Sequence, residues 1–453
     1  MRRWFGLEGL LKTSILRDIS WQMVSTVVVV VFGFMQSILV AKNLGLNQFG
    51  VFALGLGLAS IVSQLLDFRY TDILVKYLTD FSERGDYDQS LKLVIVATLM
   101  CLTLLFFGCV FFFFTWEILE SIYSAIDGMG LYSVFAVCLG NIFISTQLNY
   151  IFQSVLRVNS MIAQLAFINA MLYVGRVVAL AIGFYYFDLD LSGVVMILFF
   201  VNLVFMILFA FLALKFLISK VDFRTCIREL SLYKIPAGTV TFAGNSYLTS
   251  VSSIPTKDLD ITILGLFSTA EVVGLYRMAK NFSAAVWAFV DQVVLIIYAD
   301  FSRKYAQMNL TAIRRTIAII FAVSVCVCAI GWVTAYTSLE HIIILVLSED
   351  YVQSVEIFLI ILAGAFIWGP LVWAAPLALT FHMPQVVLKA SLLTSVLLVI
   401  LFLSCTFYWG VTGTAIISAL SPVLVSLFCI KFLSDEDDDG LRRILTRNAS
   451  EVH

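Results

Sequence analysis

Long apolar runs alternate with short polar connections from one end of the chain to the other. A helix crossing a bilayer needs roughly 20 apolar residues, and most of the runs reach that length. The pattern predicts about twelve spans: Ile19–Val40, Gln48–Leu66, Leu91–Trp116, Leu131–Val155, Met161–Phe187, Leu191–Leu217, Ile235–Ile254, Val272–Ala299, Ala312–Tyr336, Val355–Thr380, Val386–Tyr408 and Val411–Phe432. The seventh is the most polar, carrying Thr239, Thr241, Asn245, Ser246, Thr249 and Ser250. Runs of spanning length, repeated from end to end, make the expected class all-α and membrane-integral.

Basic residues test the count independently, because Lys and Arg are retained on the cytoplasmic side. With the N-terminus inside, Arg2, Arg3, Lys12 and Arg17 face the cytoplasm, followed by Arg69, Lys76, Arg84 and Lys92. Lys215, Lys220, Arg224, Arg228 and Lys234 fill the central connection, and Arg303, Lys304, Arg314 and Arg315 the next inner one. Outer connections hold Lys42 and Lys257 against Glu117, Glu120, Asp127, Asp188, Asp190, Glu340, Glu349 and Asp350. Dropping the seventh span would invert every later loop. Both ends are therefore expected inside.

The composition agrees: 61% of the 453 residues are hydrophobic and 13% charged, too little charge to coat a soluble protein of this length. Eight cysteines, mostly within apolar runs, read as small hydrophobes, and three histidines supply no metal-ligand set. No phosphate-binding loop of the GxxxxGK[ST] kind occurs, so no ATP site is expected.

The basic connection bisects the chain into an N-terminal six-helix bundle (1–217), a linker (218–234), a C-terminal bundle (235–433) and an acidic tail (434–453). Shifting the sequence by 224 positions aligns Gly50-Val51-Phe52 with Gly274-Leu275-Tyr276, Val62 with Val286 and Asp67 with Asp291. Two pseudo-symmetric bundles with an even helix number are related by an axis along the membrane normal, an arrangement in which transporters bind substrate between the repeats.

Leu44-Gly45-Leu46-Asn47-Gln48-Phe49-Gly50-Val51-Phe52 and the stretch Asp258–Phe301, with Val273-Gly274-Leu275-Tyr276 before a long helix, carry a resemblance. They resemble the polysaccharide and O-antigen flippases of the multidrug/oligosaccharidyl-lipid/polysaccharide exporter (MOP) superfamily. The resemblance implies a MATE- and flippase-like fold in a bacterial inner membrane. It also implies transport of an undecaprenyl-pyrophosphate-linked oligosaccharide to the outer leaflet, driven by an ion gradient (H+ or Na+) rather than by a bound cofactor. Other polysaccharide-assembly membrane proteins are implied partners; nucleic acid is not.

Ionisable side chains inside spans are functional candidates by default. Arg277, Lys280 and Asp291 fall within an arc of about 60° on one helix. Arg176 lies near the middle of another. The three cations suit a pyrophosphate, Arg through its fork and Lys as a point charge. Alternatively Arg277 and Lys280 snorkel to the outer interface or pair with Asp260 and Glu271, and Arg176 makes a structural ion pair or bonds backbone carbonyls. Asn245, on the polar face of the seventh span, is a candidate cavity-lining group. Asp291 and Asp67 are candidates for ion coupling or for gate salt bridges. The competing readings are a multidrug or cation antiporter of the same superfamily and, from another class, an O-antigen polymerase or ligase, which short outer connections poor in Arg disfavour.

Overall fold

In the computed structural model of the protein, the described residues are 4–67, 70–122, 131–221, 244, 247–248, 250–256, 258–307, 309–381 and 383–436. Among them the chain is helical throughout, with no strand. In order come α1 (Trp4–Leu65), α2 (Tyr70–Arg84), α3 (Tyr87–Ile122), α4 (Leu131–Ile142), a π-helical segment (Phe143–Leu148), α5 (Asn149–Val158), α6 (Ile162–Phe187) and α7 (Leu191–Ile218). Then follow α8 (Leu259–Phe267), α9 (Ala270–Ala306), α10 (Leu310–Val346), α11 (Ser354–Trp368), α12 (Ala374–Thr380) and α13 (Pro384–Glu436).

Among the described residues, eight stretches are long and apolar enough to cross a membrane. Two of them, within α1 and α13, are each a pair of helices joined at a break. Gly45 sits there at φ 74°, ψ 170° and Gly410 at φ 56°, ψ −136°, backbone states that favour a residue without Cβ. Those breaks separate the first expected span from the second and the eleventh from the twelfth. Helix α9 contains the eighth; its charges, Arg277, Lys280, Asp291 and Asp300 among them, lower its apolarity. The seventh span, the linker beyond 221 and the tail beyond 436 lie largely outside the described residues.

Two stretches expected as connections are helices. The amphipathic α2 turns Leu74, Tyr77 and Leu78 into a core with Leu91, Ile151 and Val155. After Pro255, α8 buries Ile261, Ile263 and Leu264; its apolar run is short, and hydropathy alone did not separate it from a loop.

The chain forms two compact units: residues 1–44 with 58–251, and residues 45–57 with 252–453. In the first, the core runs through Leu74, Leu91, Phe152, Leu165 and Phe209. In the second, Phe301, Ile313, Trp373, Leu377, Val386 and Cys429 pack together. Residues 45–57 join this second unit through glycine. A Cβ on Gly50 would lie 1.7 Å from the Ala270 carbonyl oxygen, and one on Gly274 would lie 2.6 Å from that of Leu46. Two helix backbones meet where the repeated Gly-x-aromatic motif occurs in each half. Phe49 closes the contact edge-on against buried Tyr351, with ring centroids 6.3 Å apart.

Candidate functional site

Arg176 lies inside the first unit on α6. Its Nε and Nη2 donate to Oδ1 of Asn202 on α7 at 2.9 and 2.5 Å. The Asn202 amide in turn donates to Oδ1 of Asn141, at the end of α4. Both asparagines are buried. One turn before Arg176, the ring of Tyr173 lies 4.6 Å from the guanidinium, in cation–π range. Among the described residues no carboxylate pairs with Arg176. Its charge is braced by amides and an aromatic ring, which orient the fork without neutralising it.

In the second unit Arg277 and Lys280 meet carboxylates. Asp260, on α8, is almost fully buried. Its Oδ1 accepts from Lys280 Nζ at 2.8 Å and from the Ile261 backbone N–H at 2.8 Å. Its Oδ2 accepts from Tyr276 Oη at 2.6 Å and from Ser418 Oγ at 3.5 Å. Asp258 pairs with Arg277 at 3.5 Å and lies 3.9 Å from Lys280. Tyr276 and Lys280 are four residues apart on α9, so one face of that helix presents both to the same carboxylate.

Lys280 also borders a cavity of about 440 Å³ within this unit. Along α9 its wall is Lys280, Ser283, Ala284 and Trp287; along α13 it is Ser418, Ser421, Pro422, Val425 and Ser426, each set at helical spacing. Val294 of α9, Ile361 and Trp368 of α11, Val372, and Ala375 and Pro376 of α12 complete it. Trp368 stands at 70° to Trp287, with ring centroids 5.1 Å apart. The Trp368 indole N–H donates to Ser426 Oγ at 3.0 Å.

The sequence profile described as "Polysaccharide biosynthesis protein" matches residues 15–294, more than half of the chain. The chain belongs to this polysaccharide biosynthesis family. No curated protein sequence matches it. Solved structures similar to this polysaccharide biosynthesis protein include the lipid II flippase MurJ in an inward closed conformation, with a TM-score of 0.66 and 13% identity, covering 94% of this chain and 90% of that one. An inward-facing multidrug resistance MATE family transporter of the MOP superfamily gives a TM-score of 0.63 at 12% identity, covering 92% and 94%. A MOP superfamily transporter from Pyrococcus furiosus, described as having a binding pocket of reverse polarity, gives 0.55 at 13% identity and 96% coverage of each chain. At these identities the likeness shows the fold, the MATE- and flippase-like helical architecture of a multi-pass membrane protein.

Within this family member, the expected cations divide by environment. Arg277 and Lys280 share one network with Asp258 and Asp260, whereas Arg176 stands in a neutral one. Asp291 lies on α9 with its side chain outside the described residues, and Asn245 is outside them altogether. Asp67 follows the end of α1, its backbone N–H bonded to the Gln64 carbonyl at 3.2 Å. Sequence reasoning missed the Asn141–Asn202 relay and the Trp287–Trp368 pair. Two asparagines in apolar runs were the available signal for the first. The second converges from separate helices, and no local pattern marks it.

Proposed function

We propose that the protein is a flippase that moves an undecaprenyl-pyrophosphate-linked oligosaccharide, an O-antigen or related repeat unit, from the inner to the outer leaflet of a bacterial inner membrane. Transport proceeds by alternating access coupled to an H+ or Na+ gradient. The observation that carries this reading is Arg176. It is a charged fork inside a membrane unit, oriented by Asn202 and Tyr173 and paired with no carboxylate among the described residues. An anionic diester supplies the counter-charge that Arg176 does not meet among the described residues, through charge-assisted hydrogen bonds. Arg277 and Lys280 act as secondary headgroup contacts, reached by exchange with Asp258 and Asp260. Asn245 lines the path, and Asp291 and Asp67 serve coupling or gating.

A cation antiporter needs an acid available to its substrate. The buried Asp260 accepts from four donors, one of them the Lys280 ammonium, which argues against that alternative. The test is complementation of a strain lacking the gene. Wild type restores surface polysaccharide, while Arg176→Gln leaves lipid-linked repeat units on the inner leaflet. Full export by Arg176→Gln would sink the proposal.

A further inference from the structure

The cavity of the second unit has a chemistry that phosphate recognition leaves unused. Among the described residues its one cation is Lys280, held by Asp260 at 2.8 Å and approached by Asp258 at 3.9 Å, so that charge is balanced. While these pairs stand, a phosphate reaches Lys280 only by exchange with a carboxylate, and the paired ammonium is a donor for neutral groups. The remaining groups are two indoles, a set of hydroxyls and an apolar wall that includes Val294, Ile361, Val372 and Val425. Trp368 is fixed by its bond to Ser426, and Trp287 stands edge-on to it. Ser283 donates to the Ala279 carbonyl at 3.0 Å, leaving its oxygen lone pairs to accept.

Resting on the flippase reading above, we propose that this cavity is the saccharide subsite, taking a neutral sugar ring of the oligosaccharide. The ring's C–H face lies on Trp287, and its hydroxyls are bonded by Lys280, Ser283 and Ser421. Dimensions agree. Lys280 and Trp287 are seven residues apart on α9, about 10 Å along the axis, room for one ring and part of a second. A prenyl or acyl chain is the other candidate occupant. It would match the apolar wall but leave the hydroxyl of Ser421 and the remaining donor capacity of Lys280 covered by hydrocarbon, which a sugar hydroxyl would instead bond.

The experiment uses the full chain in nanodiscs, which keeps sugar-headed detergents away from the site. The probes are farnesyl pyrophosphate and farnesyl-pyrophosphoryl disaccharides whose first sugar is N-acetylglucosamine, galactose or glucose. Wild type is expected to bind at least one disaccharide probe about tenfold more tightly than the sugar-free probe, the equivalent of one good stacking and hydrogen-bonding set. Trp287→Leu removes that advantage and leaves sugar-free binding unchanged; Trp287→Phe keeps part of it.

A wild-type ratio near one for every disaccharide overturns the saccharide subsite and leaves the flippase reading standing. So does an equal loss of sugar-free binding in Trp287→Leu, which assigns the cavity to the prenyl chain. If no pyrophosphate probe binds, both readings fall. Should Trp287→Leu not fold, Trp287→Phe and Ser421→Val decide by the same ratio.

Discussion

Replacing Gly50 by alanine adds one methyl group, and the structure sets its cost. The new Cβ would sit 1.7 Å from the Ala270 carbonyl oxygen and 2.5 Å from the carbonyl carbon. Ordinary contact begins near 3.4 Å, so the two segments must part by well over an ångström. The obstacle is backbone at the first turn of α9, which cannot rotate aside as a side chain would. Separation also opens the Phe49–Tyr351 contact. Overpacking a tight site costs about 1–3 kcal/mol, and a backbone collision belongs at or above the upper end. Gly57 provides the control seven residues along the same helix. A Cβ there meets Thr262 Oγ1 at 3.4 Å and Ile261 Cγ2 at 3.5 Å, both ordinary distances. Gly57→Ala should therefore be neutral or stabilise by up to about 1 kcal/mol through helix propensity. Thermal melting of the two variants in nanodiscs, followed by the fraction remaining monodisperse, separates them. If Gly50→Ala melts level with Gly57→Ala, the close crossing of these helices is refuted.

Other outcomes follow from the charged groups. Lys280→Met should cost roughly 3 kcal/mol of stability because it strands the buried Asp260. The double variant Lys280→Met/Asp260→Asn should recover at least half of that, and strictly additive losses would show that the pair is uncoupled. Arg176→Lys keeps the charge but loses the two-pronged bond to Asn202, so export in the complementation assay should fall to about a tenth, with Arg176→Gln lower still. Asp190 caps α7 by accepting from the Gly193 backbone N–H at 2.8 Å, which, with Ser192, holds its carboxyl below the ordinary range. A depressed folded value means that this stabilisation is present at neutral pH and disappears as pH falls through that value. Asp190→Ala should then cost about 1 kcal/mol at neutral pH and nothing in strong acid, as read by melting temperature.

Periodicity and length carried most of the architecture. Even the polar breaks at Gly45 and Gly410 fell between expected spans, since the runs on either side are each long enough to cross. The repeated Gly50-Val51-Phe52 and Gly274-Leu275-Tyr276 were visible as similar strings; that they touch was not, because a repeat gives likeness and no distance. Helix α8 was hidden by Pro255 and by its nine-residue length. At the candidate site, in-span charges singled out Arg176, Arg277 and Lys280. Their difference lies in partners brought from other helices: Asn202 for the first, Asp258 and Asp260 for the others. Trp287 and Trp368 were indistinguishable by sequence from the many aromatic residues of an apolar chain, and the cavity exists through the meeting of α9, α11, α12 and α13.

The placement of residues 45–57 bears on how the molecule can be divided. A gene cut at the central basic connection would give two products of nearly equal size, yet the later one would lack the thirteen-residue piece whose Gly50 nests against Gly274. Such a fragment would expose a bare groove at Ala270 and Tyr351, and co-expression of both products would restore the piece only by complementation between chains. The core of the later half is thus built partly from the earlier one, and neither product of such a cut would carry it whole.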